Sequence, residues 1–152
     1  METNKELVKH LNELLEKNND AVRGYKEAAE EVKDPSLKTF LERNANTRQS
    51  FAQDLKQEVV SLGGDPEDDT SFAADMHRGW INLKTALSGN DDESVLEECI
   101  RGEESALKEY DEVMKDYDIP HGLRSKMQTQ RDQIQQAHSE LKSLELQADR
   151  RD

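Results

Sequence analysis

Apolar residues recur at steps of three and four along almost the whole chain, the spacing of one buried stripe on a helix. From about Asn4 to Lys33 the stripe is Leu7, Leu11, Leu14, Val22, Tyr25, Ala28 and Val32. Asp34-Pro35-Ser36 breaks it, because proline disfavours helix in the residue before it and suits the first turn of the next helix. A second helix carries Leu37, Phe40, Leu41, Phe51, Leu55, Val59 and Leu62, and Gly63-Gly64-Asp65-Pro66 ends it with a glycine cap and a proline stop. After an acidic turn from Glu67 to Ser71, the residues Phe72, Met76, Trp80, Leu83 and Leu87 mark a shorter helix that stops at Ser88-Gly89-Asn90. Asp91 or Asp92 can cap the next long helix, whose stripe is Val95, Leu96, Cys99, Ala106, Tyr110, Val113 and Tyr117. Ile119-Pro120-His121-Gly122 turns the chain again, and the last helix reads Leu123, Met127, Ile134, Leu141 and Leu144 before a polar tail, residues 147–152, expected to fray.

The two halves repeat. With Tyr25 laid on Tyr110, Ala21 falls on Ala106, Glu27 on Glu112 and Pro35 on Pro120; one inserted residue later, Leu37 meets Leu123 and Leu41 meets Met127. Short turns make consecutive helices antiparallel, so the chain reads as hairpin, crossover, hairpin. The predicted fold is therefore all-α: a single domain over residues 1–152, a ferritin-like four-helix bundle of two antiparallel hairpins, with residues 71–89 as an additional crossover helix.

Composition narrows the function classes. With 33% hydrophobic and 36% charged residues, the chain is lean for a globular domain but sufficient for one narrow stripe per helix. A net charge of −13 repels phosphate backbones and anionic lipid, which argues against nucleic acid and membrane surfaces as partners. No apolar run approaches the ~20 residues that span a bilayer, and a cytoplasmic location is expected. The lone Cys99 excludes an internal disulfide and falls on an apolar stripe, where core packing is its natural role.

Polar residues interrupt each stripe: Asn18 the first, Asn44 and Arg48 the second, Glu103 the third, Arg131 and His138 the fourth. Buried polar groups are costly unless paired, so several at one level of a bundle point to a hydrogen-bonded layer or a metal site. Residues equidistant from a turn face each other. On that count Glu103 meets His138, with Asn18 and Ala52 in the equivalent places of the first hairpin. Tyr25 and Tyr110 are core residues whose hydroxyls can reach this layer.

Gly102-Glu103-Glu104-Ser105-Ala106-Leu107-Lys108-Glu109-Tyr110 resembles the G-E-x-x-A-x-x-x-Y helix of rubrerythrins, in which the first Glu ligates iron. Gln135-Gln136-Ala137-His138 is similar to their E-x-x-H helix with Gln for Glu. The resemblance implies six ligand positions for a di-iron site. Asn18, Gln49, Ala52 and Gln135 fill four of them with neutral groups, which leaves Glu103 and His138. A closer resemblance runs through Gly24-Tyr25, Leu62-Gly63-Gly64-Asp65-Pro66, His77-Arg78-Gly79-Trp80, Gly102-Glu103-Glu104 and His138, and is to a bacterial four-helix-bundle family, domain of unknown function 2383. It implies a ferritin-like fold and no established activity.

Two readings of Glu103 and His138 follow. One is a buried hydrogen-bonded pair completed by Arg48, whose guanidinium supplies the positive charge that iron supplies in relatives. The other is a mononuclear metal site holding one Fe or Zn ion on Glu103 and His138 with Asp20, Glu104 or water. For His77, Arg78 and Trp80, docking of the crossover helix outweighs ligand binding. No phosphate loop, nucleophile elbow or basic patch is present. The leading expectation is a non-enzymatic ferritin-like protein, a stress-related or interaction module with a degenerate di-iron site, associating as a homo-oligomer through a bundle face. The alternative is a metal-dependent redox or storage protein.

Overall fold

The structure, a computed structural model, describes residues 2–67, 92–116 and 118–151. Four helices account for nearly all of them: α1 (Glu2–Glu31), α2 (Pro35–Ser61), α3 (Asp92–Asp116) and α4 (His121–Arg151). No strand occurs among the described residues. The expected crossover helix 71–89, with His77, Arg78 and Trp80, lies outside them.

The α1–α2 turn and the far end of α2 use the chemistry that the sequence offers. Asp34 caps α2 by accepting a hydrogen bond from the Ser36 amide at 3.2 Å, and Pro35 occupies the first turn, where its missing N–H costs nothing. At the other end of α2, Gly63 takes φ +83, so that its amide donates to the Val60 carbonyl at 2.9 Å and the Gly64 amide to the Val59 carbonyl at 3.0 Å. This Schellman arrangement satisfies carbonyls that the helix end would leave open. Asn12 of α1 then holds the departing chain, donating to the Asp65 carbonyl at 3.1 Å and accepting from the Glu67 amide at 2.9 Å. The α4 helix keeps helical geometry through Arg151, across most of the polar tail.

Helix directions follow from the contacts. Tyr25 of α1 reaches Glu103 of α3, Asn18 reaches Tyr110, and the amides of Lys33 and Asp34 reach the Asp92 carboxylate. As numbers rise on α1 they fall on α3, so these two are antiparallel, as are α1 and α2 by their short turn. The order is up, down, down, up. In the bundle α1 neighbours α2 and α3, and α4 neighbours α3 and, more sparsely, α2.

Two apolar clusters fill the interior. One joins Leu11, Leu14, Phe51, Leu55, Leu107, Val113, Met127 and Ile134; the other joins Ala28, Val32, Leu37, Leu41, Val95, Leu96, Cys99 and Leu141. Leu11, Tyr25, Phe51, Tyr110 and Leu141 are all buried, as their stripe positions require, and Leu107 beside Ala106 is buried as well. On α4 the phase needs one correction. Arg131 does not interrupt the stripe: it pairs at the surface with Asp111 at 2.5 and 3.1 Å. The inward positions step by four and three through Leu123, Met127, Gln130, Ile134, Ala137 and Leu141, all buried, which turns Gln130 inward in its place.

Leu141 has no exposed surface, and replacing it with Ala removes about 2–5 kcal/mol of stability by leaving a cavity. Gly63→Ala forces a Cβ into the left-handed region and costs about 1–2 kcal/mol. Urea denaturation of both variants against the parent checks the order, with Leu141→Ala the larger loss.

Candidate functional site

Between the two apolar clusters lies a layer of buried polar side chains drawn from all four helices. Arg48 of α2 and Glu103 of α3 are 2% and 1% exposed and form an ion pair through Arg48 Nη1 and Glu103 Oε1. The other carboxylate oxygen, Oε2, accepts from the Tyr25 hydroxyl of α1 at 2.8 Å. Arg48 Nε donates to Asn18 Oδ1 at 2.5 Å, and Asn18 Nδ2 donates both to the Leu14 carbonyl and to the Tyr110 hydroxyl, each at 2.9 Å. The chain of bonds ends on α4, where Tyr110 donates to Gln130 Oε1 at 2.7 Å. Opposite charges removed from water are stabilised when paired in good geometry with their remaining lone pairs and protons used; both oxygens of Glu103 are used here, while Nη2 of Arg48 has no partner.

The electrostatics match this arrangement. Burial opposes the charge on Arg48, but Glu103 beside it, with the phenols of Tyr110 and Tyr25, holds the guanidinium above its ordinary value. Burial pushes the Tyr25 hydroxyl well up, and the negative Glu103 adds to that. Burial also raises Tyr110, to about 12, against the opposing pull of Arg48 and Asn18. Cys99, in the adjoining apolar cluster, is raised well above an ordinary thiol by burial and then by Glu103 and Glu98. It stays protonated, as a packed core thiol should, rather than becoming a nucleophile.

His138 does not meet Glu103. Its Nε2 lies 2.9 Å from Oε2 of Glu104, the next residue along, and Glu104 is exposed. The level counted from the turns places His138 opposite this part of α3, but neighbouring residues on a helix diverge by about 100°, so Glu103 points to the centre and Glu104 to the flank that α4 covers. The equivalent positions of the first hairpin diverge in the same way. Gln49 is exposed and Ala52 buried, while Arg48 is the polar residue turned inward. Asp20 is buried on α1. Among the described residues no three or more His, Cys, Asp or Glu side chains come together in a group that could hold a metal ion. Sequence inspection also overlooked Asn12, which is buried as the clamp on residues 65–67, and Gln130, which the four-three spacing from Met127 would have found.

Two outcomes test the layer. Arg48→Met strands the Glu103 carboxylate and costs about 3–5 kcal/mol, whereas Arg48→Met with Glu103→Leu removes both charges and recovers most of it; urea denaturation of the two single variants and the double variant measures this. Tyr110 ionises at 10.0 as a free phenol and at about 12 in the fold. The folded state therefore holds its proton more tightly, and this share of stability is complete below pH 10 and lost as pH climbs through about 12. Denaturation curves across that interval should show stability falling with pH, less steeply in Tyr110→Phe.

No curated protein matches the chain. The family match covers α1, α2 and α3, so it takes in Asn18, Arg48 and Glu103 and leaves out Gln130 and His138 on α4. With residues 6–116, well over half its length, matched by the family model described as Domain of unknown function (DUF2383), the chain belongs to that family.

Proposed function

We propose that this protein is a ferritin-like bundle that performs no oxidation chemistry, a stress-related or interaction module in which the Arg48 guanidinium stands where rubrerythrin-like relatives hold iron. The observation that carries this is the Arg48–Glu103 pair. The one carboxylate at the centre of the layer is engaged on both oxygens, by a cation on one side and a phenol on the other. A divalent ion binding there would have to displace the guanidinium or lie against its positive charge. Di-iron chemistry needs two ions bridged by carboxylates with positions open to oxygen, and beside the engaged Glu103 carboxylate the layer offers amides, phenols and a guanidinium.

The ferritin-like assignment draws support from the helix directions. The up, down, down, up order sets α2 and α3 parallel, as in bundles whose two hairpins are joined by one long connection. Association through a bundle face remains part of the proposal, and a net charge of −13 disfavours nucleic acid and anionic lipid as the partner. No helix among the described residues is long and apolar enough to cross a membrane.

Metal analysis of protein purified without a tag or added metal, together with its melting temperature with and without ferrous or zinc ions, tests the proposal. Substoichiometric metal and an unchanged melting temperature are expected. One ion per chain, released by His138→Ala, would instead establish the mononuclear reading at Glu103 and His138; two irons with oxygen-dependent turnover would defeat both.

A further inference from the structure

The bundle does not close evenly: the sparse meeting of α2 with α4 leaves a groove of about 520 Å³ between them. It is a shallow groove, open to solvent along its outer side. Thr47, Ser50 and Phe51 form part of its α2 wall, and Thr129, Gln130 and Gln133 part of its α4 wall.

Gln130 is the residue that turns this groove from a surface feature into a built site. It is 2% exposed, and its Oε1 accepts from the Tyr110 hydroxyl at 2.7 Å. That bond orients the amide, leaving Nε2 turned away from Tyr110, and Nε2 is buried with no hydrogen-bond partner. Arg48 Nη2, in the same network, is likewise buried without one, and so is Nδ2 of Asn44, one turn earlier on α2. Buried donors without acceptors are costly, so natural structures seldom keep them unless something else supplies the acceptor. All three atoms donate, and of the three residues Gln130 is the one that lines the groove.

We propose that the α2–α4 groove binds a small uncharged molecule carrying hydroxyl or carbonyl oxygens, with Gln130 Nε2 as the donor at its floor. A cation gains nothing from an N–H donor, which is what Gln130 leaves unused there. An anion has no unspent positive charge to meet. Arg48 is neutralised by Glu103, Lys126 on the wall is bound to Glu58 at 2.9 Å, Asp54 adds a negative charge, and the chain as a whole carries −13. The hydroxyls of Thr47 and Ser50 and the amide of Gln133 offer both donors and acceptors to a neutral polar molecule, and the Phe51 ring offers it one apolar face. The groove is independent of the metal question, and its test does not use metal content.

Amide NMR titration of the full chain with glycerol and glucose, with acetate and magnesium ions as charged controls, tests this. Either neutral probe should shift amides of residues 47–54 and 125–133 saturably, and the controls should not. Ser50→Trp fills the mouth from an exposed position and leaves the buried network untouched; Gln130→Met removes the donor. Each should weaken the neutral probe at least tenfold, and Ser50→Trp decides should Gln130→Met fail to fold. The proposal is overturned by the absence of a saturable shift with both neutral probes, by binding unchanged in Ser50→Trp, or by acetate or magnesium binding there more tightly than either neutral probe.

Discussion

The Arg48–Glu103 pair is the constraint around which the interior is arranged. Two full charges at 2% and 1% exposure have no stable alternative to each other. Glu103 sets the rotation of α3, because its second oxygen must also reach Tyr25 on α1; Arg48 sets that of α2, because its Nε must also reach Asn18. A slide of any one helix by a turn would break a bond in the layer and bury a polar group unpaired. Apolar clusters on either side tolerate slippage far better, since leucine against leucine is nearly indifferent to register. The layer thus contributes specificity where the apolar clusters contribute most of the stability.

The same pair governs the chemistry of its surroundings. Burial, reinforced by the pair's negative end, keeps the Tyr25 phenol and the Cys99 thiol protonated, so neither is a ready redox or nucleophilic group. Its positive end fills the centre with a cation that cannot dissociate as a metal can. The hydrogen-bond chain then runs outward through Asn18 and Tyr110 to Gln130, where it reaches the side of the bundle that α2 and α4 leave open. The layer is internally neutral at its centre, and at that edge it leaves one buried donor, Gln130 Nε2, without a partner.

The four described helices and their turns were legible in the chain because they rest on local rules. Three-four periodicity, Asp34-Pro35 at one turn and Gly63-Gly64 at the end of α2 act through backbone geometry within a few residues. The membership of the polar layer was partly legible for a related reason: Asn18, Arg48 and Glu103 interrupt otherwise apolar stripes, and burial of such residues demands partners. The count from the prolines set Ala52 opposite Asn18, whereas Arg48, four residues earlier on α2, is the residue that reaches both Asn18 and Glu103.

What the sequence by itself determined is therefore the helices, their pairing in hairpins and the existence of a buried polar layer. Only the tertiary structure decided who bonds whom within it. A residue's direction around the helix axis changes by about 100° per step, so a count correct in level still assigned His138 to Glu103, when it meets Glu104 on the flank. By the same margin Arg131 was read inward where Gln130 is. Which side of the bundle stays open is likewise invisible in any one stripe, because it depends on how four helices share their contacts, and stripe periodicity carries only the face that each helix buries.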